Sequence, residues 1–379
     1  MKILEIGTLD VKKGGPPFSL SRQMLGLKEN NVECCCLMAP CQDEDIIDKR
    51  LEYAFFRKPL FNVLGFEYIP HISDSVDKMG KIDLIHSQGI WTYECNAVMK
   101  YAIKKGIPYV ISPRGALYKK SLQLKTAKKN VAWYAYQKRN LFKAACIQAT
   151  CIAEMDEVRS LGCKVPVAVI PNPYDGIKIE SCEKIESDTF RIGYIGRLHP
   201  RKRVERLIYA LDYLIKQGVD AELYIIGADE KSYEKFIREE SVRLGIEGRV
   251  VFTGFLKDKA KDNAIKQCHI FAFPSDFENW GNVVPDVLVR GVPAITTKGM
   301  PWEIIQKANA GWWINNDQDS FNKTLINAYS LGGDRLYEMG AAGRQIVLDN
   351  FSVKRIGAML KELYAWLLIG GQKPDFVYL

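Results

Sequence analysis

Two successive series of short apolar runs, most of them followed by an amphipathic segment, constrain this chain more than any other feature. In the first half the runs fall near Lys2 to Gly7, Val32 to Met38, Asp83 to His86, Tyr109 to Ile111, Cys146 to Thr150 and Ala168 to Ile170. The second half repeats the plan at Phe190 to Gly196, Glu222 to Ile226, Arg249 to Thr253, His269 to Phe273 and Pro293 to Thr296. Continuous apolar strands are those covered on both faces, and strands alternating with helices form parallel sheets. Each series therefore predicts an α/β domain with a doubly wound, Rossmann-like parallel sheet, one over residues 1–175 and one over 189–352. The polar, charge-rich stretch Tyr174 to Asp188 is read as the linker between them. A final helical pattern, about Val353 to Leu368, follows the second sheet. The 379 residues, 47% of them hydrophobic, are enough for two cores.

The run at Phe190 to Gly196 leads into Arg197-Leu-His-Pro-Arg-Lys202 and then an amphipathic helix from about Val204 to Gln217. Gly193 and Gly196 at a strand end let the backbone approach a ligand closely. Arg197 and Lys202 lie at the carboxyl end of that strand, where open α/β sheets bind ligands. Two cations there suit a diphosphate, the guanidinium as a planar fork and the ammonium as a point charge. A solvated basic turn is the other reading, since Arg201 and Arg203 are charged as well.

Downstream, Ser275-Asp-Phe-Glu-Asn-Trp-Gly-Asn-Val-Val-Pro-Asp286 joins a strand to a helix. Pro285 has no N–H and is tolerated only in a helix's first turn, so the helix must begin at about Asn282 to Val284. The amides of Asn282, Val283 and Val284 are then available to an anion, helped by the helix dipole. Glu278 and Asp286 flank that position and are available for hydroxyls. Alternatively, Asp286 is a first-turn acid pairing with Arg290 at i,i+4, and Glu278 a solvated loop residue.

Together the two segments resemble the signature of the family-4 retaining glycosyltransferases, which have the GT-B fold. That signature is a Gly-Arg loop with a Lys five positions after the Arg, then a Glu, seven residues, and Glu or Asp. Further stretches extend the resemblance over nearly the whole chain: Gly14-Gly15, Asp83-Leu-Ile-His-Ser-Gln-Gly-Ile-Trp91, Ser112-Pro-Arg-Gly115 and Ile170-Pro-Asn-Pro-Tyr-Asp175. Gly311-Trp-Trp-Ile314 and the tail Tyr364-Ala-Trp-Leu-Leu with Lys373-Pro-Asp-Phe-Val377 are similar to one branch that builds bacterial surface polysaccharides.

The resemblance implies two Rossmann-like domains facing a central cleft, with the C-terminal helix, about 353–379, crossing back to the first. It implies transfer of a hexose from a UDP- or GDP-linked sugar to a lipid-linked or oligosaccharide acceptor, as in O-antigen or capsule synthesis. Arg197 and Lys202 would neutralise the departing diphosphate. Glu278 would hold sugar hydroxyls, the amides of Asn282, Val283 and Val284 phosphate oxygens, and Asp286 the ribose. Gly196 belongs to the same donor loop. In the first domain, Gly14 and Gly15 would approach the donor, His86 would contact the donor sugar, and Arg114 would face acceptor or phosphate. Three departures from the family pattern stand out: Asp286 where many relatives have Glu, Asn279 for Gly, which predicts a less mobile loop, and Gln88 where a second His is common. Same-face attack, with the departing phosphate taking the acceptor's proton, requires no protein nucleophile. No cofactor and no metal are expected, the cations taking the metal's place. Replacing Lys202 or Glu278 by Ala is expected to abolish transfer while leaving thermal unfolding nearly unchanged. A GT-B sugar-nucleotide epimerase and a catalytically silent, membrane-bound assembly partner are the alternative readings.

The net charge of +8 is unevenly spread. Between Tyr118 and Lys143, Lys119, Lys120, Lys125, Lys128, Lys129, Lys138, Arg139 and Lys143 interleave with Trp133, Tyr134, Tyr136 and Phe142. That pattern fits either an anionic membrane surface or a solvated helix face with its aromatics in the core. No nucleic-acid-binding motif accompanies the charge. The ten cysteines lack paired Cys-x-x-Cys spacing and are read as reduced, structural residues. The chain opens Met-Lys-Ile-Leu-Glu without a signal-peptide pattern, so a cytosolic location is expected, with peripheral membrane contact if the basic segment supplies it.

Overall fold

The computed structural model describes every residue except 14, 64, 65, 124, 125, 177, 178, 182 and 231. The chain divides into two units, Met1–Asp175 together with Phe351–Leu379, and Gly176–Asn350. The first holds strands β1 (Lys2–Ile6), β2 (Glu33–Met38), β3 (Tyr53–Phe55), a hairpin of β4 (Phe61–Val63) and β5 (Phe66–Tyr68), then β6 (Leu84–Gln88), β7 (Tyr109–Ser112), β8 (Cys146–Ala149) and β9 (Val167–Val169). Its main sheet runs β9, β8, β7, β6, β1, β2, β3, with Val377–Tyr378 added beyond β9. All of its pairings are parallel except that of Val377–Tyr378 with β9. From β1 the chain winds outward through β2 and β3, then returns to β6 on the other side of β1 and winds the opposite way. The carboxyl ends of β1 and β6 are therefore the switch point, where such sheets bind ligands.

Both faces of this sheet are covered, which is why its strands read as continuous apolar runs. Ile3, Leu84, Val110 and Cys146 pack on one side with Leu20, Met24, Ile356 and Leu360 from the helices Gly15–Glu29 and Val353–Ile369. Leu4, Ile85, Ile111 and Ile147 pack on the other with Val98 and Met99 of the helix Tyr93–Lys105. The triplet Cys34, Cys35 and Cys36 is buried for the same reason. The nine described cysteines are free thiols, and all but Cys41 are buried.

The second unit holds β10 (Phe190–Ile195), β11 (Ala221–Ile226), β12 (Val250–Gly254), β13 (Ile270–Phe273), β14 (Ala294–Thr297) and β15 (Gly311–Ile314). Their order is β12, β11, β10, β13, β14, β15, parallel throughout. Its switch point lies at the carboxyl ends of β10 and β13. The helix Glu205–Lys216 buries Leu207, Ile208, Leu211 and Leu214 against the sheet. The strands β3 and β15, the β4–β5 hairpin and Val377–Tyr378 have no counterpart among the predicted strands. They are two to four residues long and lie at sheet edges or in a separate hairpin, where periodicity carries little signal.

The C-terminal helix Val353–Ile369 lies against Gly15–Glu29 at backbone contact distance. A Cβ on Gly357 would sit 2.1 Å from the Gly26 carbonyl oxygen, and one on Gly26 would sit 2.4 Å from that of Val353. Asn30 Nδ2 donates to the Lys354 carbonyl at 2.9 Å, and Lys361 Nζ to the Asn30 carbonyl at 2.9 Å. Gly357→Ala is expected to lower stability by about 2 kcal/mol or more, since backbone must shift. Urea unfolding measures it, with Ile369→Ala, at an 86% exposed position, as the near-neutral comparison.

Candidate functional site

At the switch point of the second unit, the loop after β10 and the loop after β13 are tied together by backbone. The Asp276 N–H donates to the Arg201 carbonyl at 3.0 Å, and Asp276 also meets Arg203 Nε and Asn316 Nδ2, at 3.2 and 3.1 Å. Pro200–Lys202 forms a single 3-10 turn, capped by His199 Nδ1, which accepts from the Arg201 N–H at 3.1 Å. These constraints bring Lys202 and Glu278, 76 positions apart, into a direct ion pair whose side chains are only 15% and 13% exposed. The loop carrying Glu278 is pinned further: the Glu278 N–H donates to Gly299 at 2.9 Å and the Trp302 indole to the Trp280 carbonyl at 2.6 Å.

Gly193 has a different cause from the one expected. A Cβ on Gly193 would lie 2.4 Å from the Phe271 ring, so that glycine serves packing inside the sheet and not approach to a ligand. Gly196 has φ 153°, and its carbonyl oxygen would lie 1.8 Å from a Cβ on Gly227, so these two loops touch backbone to backbone. Tyr194, buried beneath, donates its hydroxyl to the Arg197 carbonyl at 3.0 Å. The Arg197 side chain is 70% exposed and pairs with Glu230 at 3.2 Å. The two predicted diphosphate cations are thus held differently, Lys202 inside the loop junction and Arg197 at the surface.

The helix Val283–Leu288 begins where Pro285 requires, with Asn282 at its cap. The expectation that three amides stand available is corrected, because the Val284 N–H donates to the Gly281 carbonyl at 2.9 Å. Glu278 and Asp286, expected to be available for hydroxyls, both have protein partners, and the alternative pairing of Asp286 with Arg290 at i,i+4 is observed. Asp286 is held by Arg290 at 2.8 Å and by Lys261 at 2.9 Å. Arg290, 4% exposed, also pairs with Asp262. Lys261, on the helix Asp258–Lys266, was not singled out from sequence, and nothing in its local pattern marks it.

In the first unit the predicted residues His86 and Arg114 join a buried polar network at the β1–β6 switch point. The sheet register sets Glu5 beside His86, and Gln88 beside Ser112. His86 is fully buried, which overturns its expected contact with a donor sugar: both ring nitrogens are occupied by protein. The chain of donors fixes its tautomer. Gln148 Nε2 donates to the Ile170 carbonyl at 3.1 Å, so its Oε1 accepts from Ser112 Oγ at 2.7 Å. Ser112 Oγ must then accept from His86 Nε2 at 2.7 Å, leaving Nδ1 to accept from the Tyr364 hydroxyl at 2.7 Å. Burial lowers the His86 pKa to about 3, with the Arg114 charge acting in the same direction.

Glu5, also fully buried, accepts from Gln88 Nε2 at 2.7 Å and from Gln23 Nε2 at 3.2 Å. The same two amides turn their oxygens to Arg114, Gln88 Oε1 to Nε at 2.9 Å and Gln23 Oε1 to Nη2 at 3.4 Å, and Asn172 Oδ1 accepts from Nη1 at 2.9 Å. Burial pushes the Glu5 carboxyl up to about 7, against the lowering effect of Gln88 and Arg114. Gly15, the described member of the predicted glycine pair, opens the helix Gly15–Glu29 and is exposed, while Gly14 lies outside the described residues.

The basic segment Tyr118 to Lys143 divides its aromatics. Trp133 and Phe142 pack against the core, and Tyr136 donates its hydroxyl to the Trp91 carbonyl at 3.1 Å. Tyr134 and Val131 are 79% and 71% exposed, beside exposed Lys128, Lys138 and Arg139. Lys125 lies outside the described residues. No described helix is long and apolar enough to cross a membrane. Among the described residues no three His, Cys, Asp or Glu side chains are grouped to hold a metal ion. The chain has Asp-x-Asp triplets at 43–45 and 317–319, but Asp45 pairs with Lys12 at 2.7 Å and Asp319 with Lys323 at 2.6 Å.

Glu5 and His86 have opposite effects on stability as pH changes. Folding holds the Glu5 proton up to about 7 where the unfolded chain loses it near 4.5, so this group's contribution falls as pH rises through that window. Folding keeps His86 neutral down to about 3 where the unfolded chain is protonated below 6.5, so its contribution falls as pH drops through that window. The two slopes oppose each other where the windows overlap. Relative to wild type, Glu5→Gln should therefore gain stability from about pH 4.5 to about 7, which urea midpoints at fixed pH steps measure. A constant difference across that range would contradict the assignment.

Comparison with known proteins accords with this arrangement. Residues 178–345 match the model of glycosyl transferases group 1, and residues 52–173 that of the glycosyl transferase 4-like domain. The capsular polysaccharide biosynthesis glycosyltransferase CapM of Staphylococcus aureus is 30% identical over 192 residues, 49% of this chain and 48% of that protein. A GDP-mannose-dependent alpha-(1-6)-phosphatidylinositol monomannoside mannosyltransferase of Mycolicibacterium smegmatis is 28% identical over 178 residues, 45% of this chain and 46% of its own. The matched region thus spans under half the length of these relatives. The structure of Anabaena HepE in complex with UDP and glucose superposes with a TM-score of 0.74 at 18% identity, covering 96% of this chain and 99% of that one. With both halves matched to such models, and two parallel α/β units, the chain belongs to the family-4 glycosyltransferases of the GT-B fold.

Proposed function

We propose that the chain transfers a hexose, with retention, from a UDP- or GDP-linked sugar to a lipid-linked or oligosaccharide acceptor in surface-polysaccharide synthesis. One observation carries the reading: Lys202 and Glu278 meet at the carboxyl ends of β10 and β13, the place where such a sheet receives a nucleotide. In the absence of an anion the ammonium is balanced by the carboxylate. A diphosphate entering the loop junction would draw Lys202 to its oxygens and release Glu278 to accept from sugar hydroxyls. Charge growing on the departing diphosphate would then be met by a cation already desolvated. Arg197 would supply a second cation by turning from Glu230, at little cost for so exposed a pair. Asp286, held by Lys261 and Arg290, keeps lone pairs for the ribose hydroxyls. The capsule enzyme among the relatives supports the biosynthetic setting.

Exposed lysines and Tyr134 on the 118–143 segment support a second element of the reading, contact with an anionic membrane surface. Lys128→Ala combined with Tyr134→Ala should weaken sedimentation with vesicles containing phosphatidylglycerol and leave zwitterionic vesicles unaffected. Equal sedimentation of wild type and variant would remove this element.

Lys202→Ala and Glu278→Ala are each expected to abolish transfer. The expectation of unchanged unfolding is corrected by the ion pair: each variant strands a mostly buried charge and should lose about 1 to 4 kcal/mol, between exposed and buried pairs. Ligand-induced thermal shift therefore provides the decisive readout. A nucleoside-diphosphate sugar at a hundredfold excess over Kd stabilises the wild type by about 2.7 kcal/mol. Among UDP-, GDP- and ADP-sugars one should raise the midpoint of wild type and not of Lys202→Ala. An equal rise in both would overturn the assignment of Lys202.

A further inference from the structure

We propose that Arg201 is a receptor for a carboxylate on the donor sugar, which makes the donor a nucleoside-diphosphate hexuronate. The inference rests on the transferase reading and adds the chemical class of the transferred sugar. Two consecutive residues of the β10 loop meet two consecutive residues of the β13 loop. Lys202 pairs with Glu278, and the Arg201 guanidinium lies over the Phe277 ring, 5.0 Å from its centroid. Both backbone polar groups of Arg201 are bonded, its N–H donating to His199 Nδ1 at 3.1 Å and its carbonyl accepting from the Asp276 N–H at 3.0 Å. The side chain therefore starts from a fixed point.

Its charge balance sets Arg201 apart. The other cations of the loop each have an acidic partner: Arg197 has Glu230 at 3.2 Å, Lys202 has Glu278, and Arg203 has Glu205 at 3.4 Å and Asp276 at 3.2 Å. Among the described residues Arg201 has neither an ion pair nor a side-chain hydrogen bond, and its Nε is buried without a partner. A guanidinium dried along one edge loses hydration that nothing here replaces except the face of the ring beneath it. Arg201 and Phe277 are both half-buried, so a solute can reach them.

Position selects the kind of anion. Phe277 immediately precedes Glu278, the residue proposed to hold sugar hydroxyls, so the guanidinium stands beside the sugar's place in the junction. The diphosphate already has two cations assigned to it, Lys202 and Arg197. A hexuronate carries its carboxylate on the pyranose ring itself, close to the ring hydroxyls. Two carboxylate oxygens match the planar fork in a bidentate pair. The hydroxymethyl group of a neutral hexose leaves the same charge unmet, and a site that has partly dried a charge penalises a ligand unable to pair with it.

Calorimetric titration of the full chain with matched donors tests this. The pairs are UDP-glucuronate with UDP-glucose, UDP-galacturonate with UDP-galactose, and GDP-mannuronate with GDP-mannose, with UDP and GDP alone as references. In one pair the uronate should bind about tenfold or more tightly than its neutral counterpart, the size of a charged hydrogen bond. Arg201→Gln should remove that preference, and Arg201→Lys, which keeps the charge without the fork, should keep part of it. Equal affinity within every pair overturns the proposal on the wild type alone, with no variant required to fold. A preference that survives Arg201→Gln overturns it too. So does a loss of the same factor for diphosphate alone and for the uronate, which would make Arg201 a third diphosphate cation. If neither UDP nor GDP binds, the transferase reading falls and this site with it, whereas diphosphate binding without a uronate preference removes this site alone.

Discussion

The central strands of both sheets are covered on both faces, and that single constraint decides where this chain can keep charge. A strand residue in such a sheet has no route to water except at its carboxyl or amino end, so ionised groups collect in the loops beyond the ends. In the second unit this yields the junction of the β10 and β13 loops, where backbone bonding between Asp276 and Arg201 aligns Lys202 with Glu278. In the first unit a carboxyl and an imidazole, Glu5 and His86, do lie fully buried within strands. Neither carries its ordinary charge state there: the imidazole is neutral across the usual pH range, and the carboxyl holds its proton to near neutrality. Burial is tolerated because every polar atom of His86 has a partner from Gln148, Ser112 and Tyr364 onward.

The second unit solves the same problem with pairs. Glu278 with Lys202, and Asp286 and Asp262 with Lys261 and Arg290, form balanced sets in which each charge has an opposite partner. Such pairs contribute little net stability, because the Coulomb gain is offset by desolvation, but removal of one member is costly. Their value is geometric. A cation held by a carboxylate is already positioned and partly stripped of water when a stronger anion arrives, and the carboxylate displaced in the exchange is then available to hydroxyl groups at the same place.

Much of the fold could be read from the sequence because continuous apolar runs report double-sided burial directly. The run Lys2 to Gly7 and the strand Lys2–Ile6 coincide to within one residue, and Val353 to Leu368 and Val353–Ile369 likewise. The strands that escaped, such as Gly311–Ile314 at a sheet edge, are too short for a period to show. At the site, Lys202, Glu278 and Asp286 were legible because turn chemistry and a proline bracket them. Their partners were not. Lys261 is one lysine among several on a charged helix, and only the packing of that helix beside Val283–Leu288 brings it to Asp286. Glu5 left a usable signal, an acid between apolar neighbours in Lys2-Ile-Leu-Glu-Ile, which a doubly covered strand makes conspicuous. Tyr364 left none, since its reach to His86 depends on a helix that packs 278 positions away in sequence.

The choice between His86 and Gln88 shows how the sheet decides what a motif alone does not. Two positions apart on one strand, both side chains point to the same face, so sequence offers no reason to prefer either. Depth along the strand separates them. His86 lies one pleat deeper, level with Glu5, and the hydroxyls of Ser112 and Tyr364 close over its ring. Gln88 sits at the strand's carboxyl end, half-buried, with its amide nitrogen spent on Glu5 and its oxygen on Arg114. An imidazole at 88 could not donate to the carboxylate and accept from the guanidinium across the same short gap with an amide's geometry. The glutamine therefore suits the end of this strand, where one side chain must tie the Glu5 carboxyl to the Arg114 guanidinium.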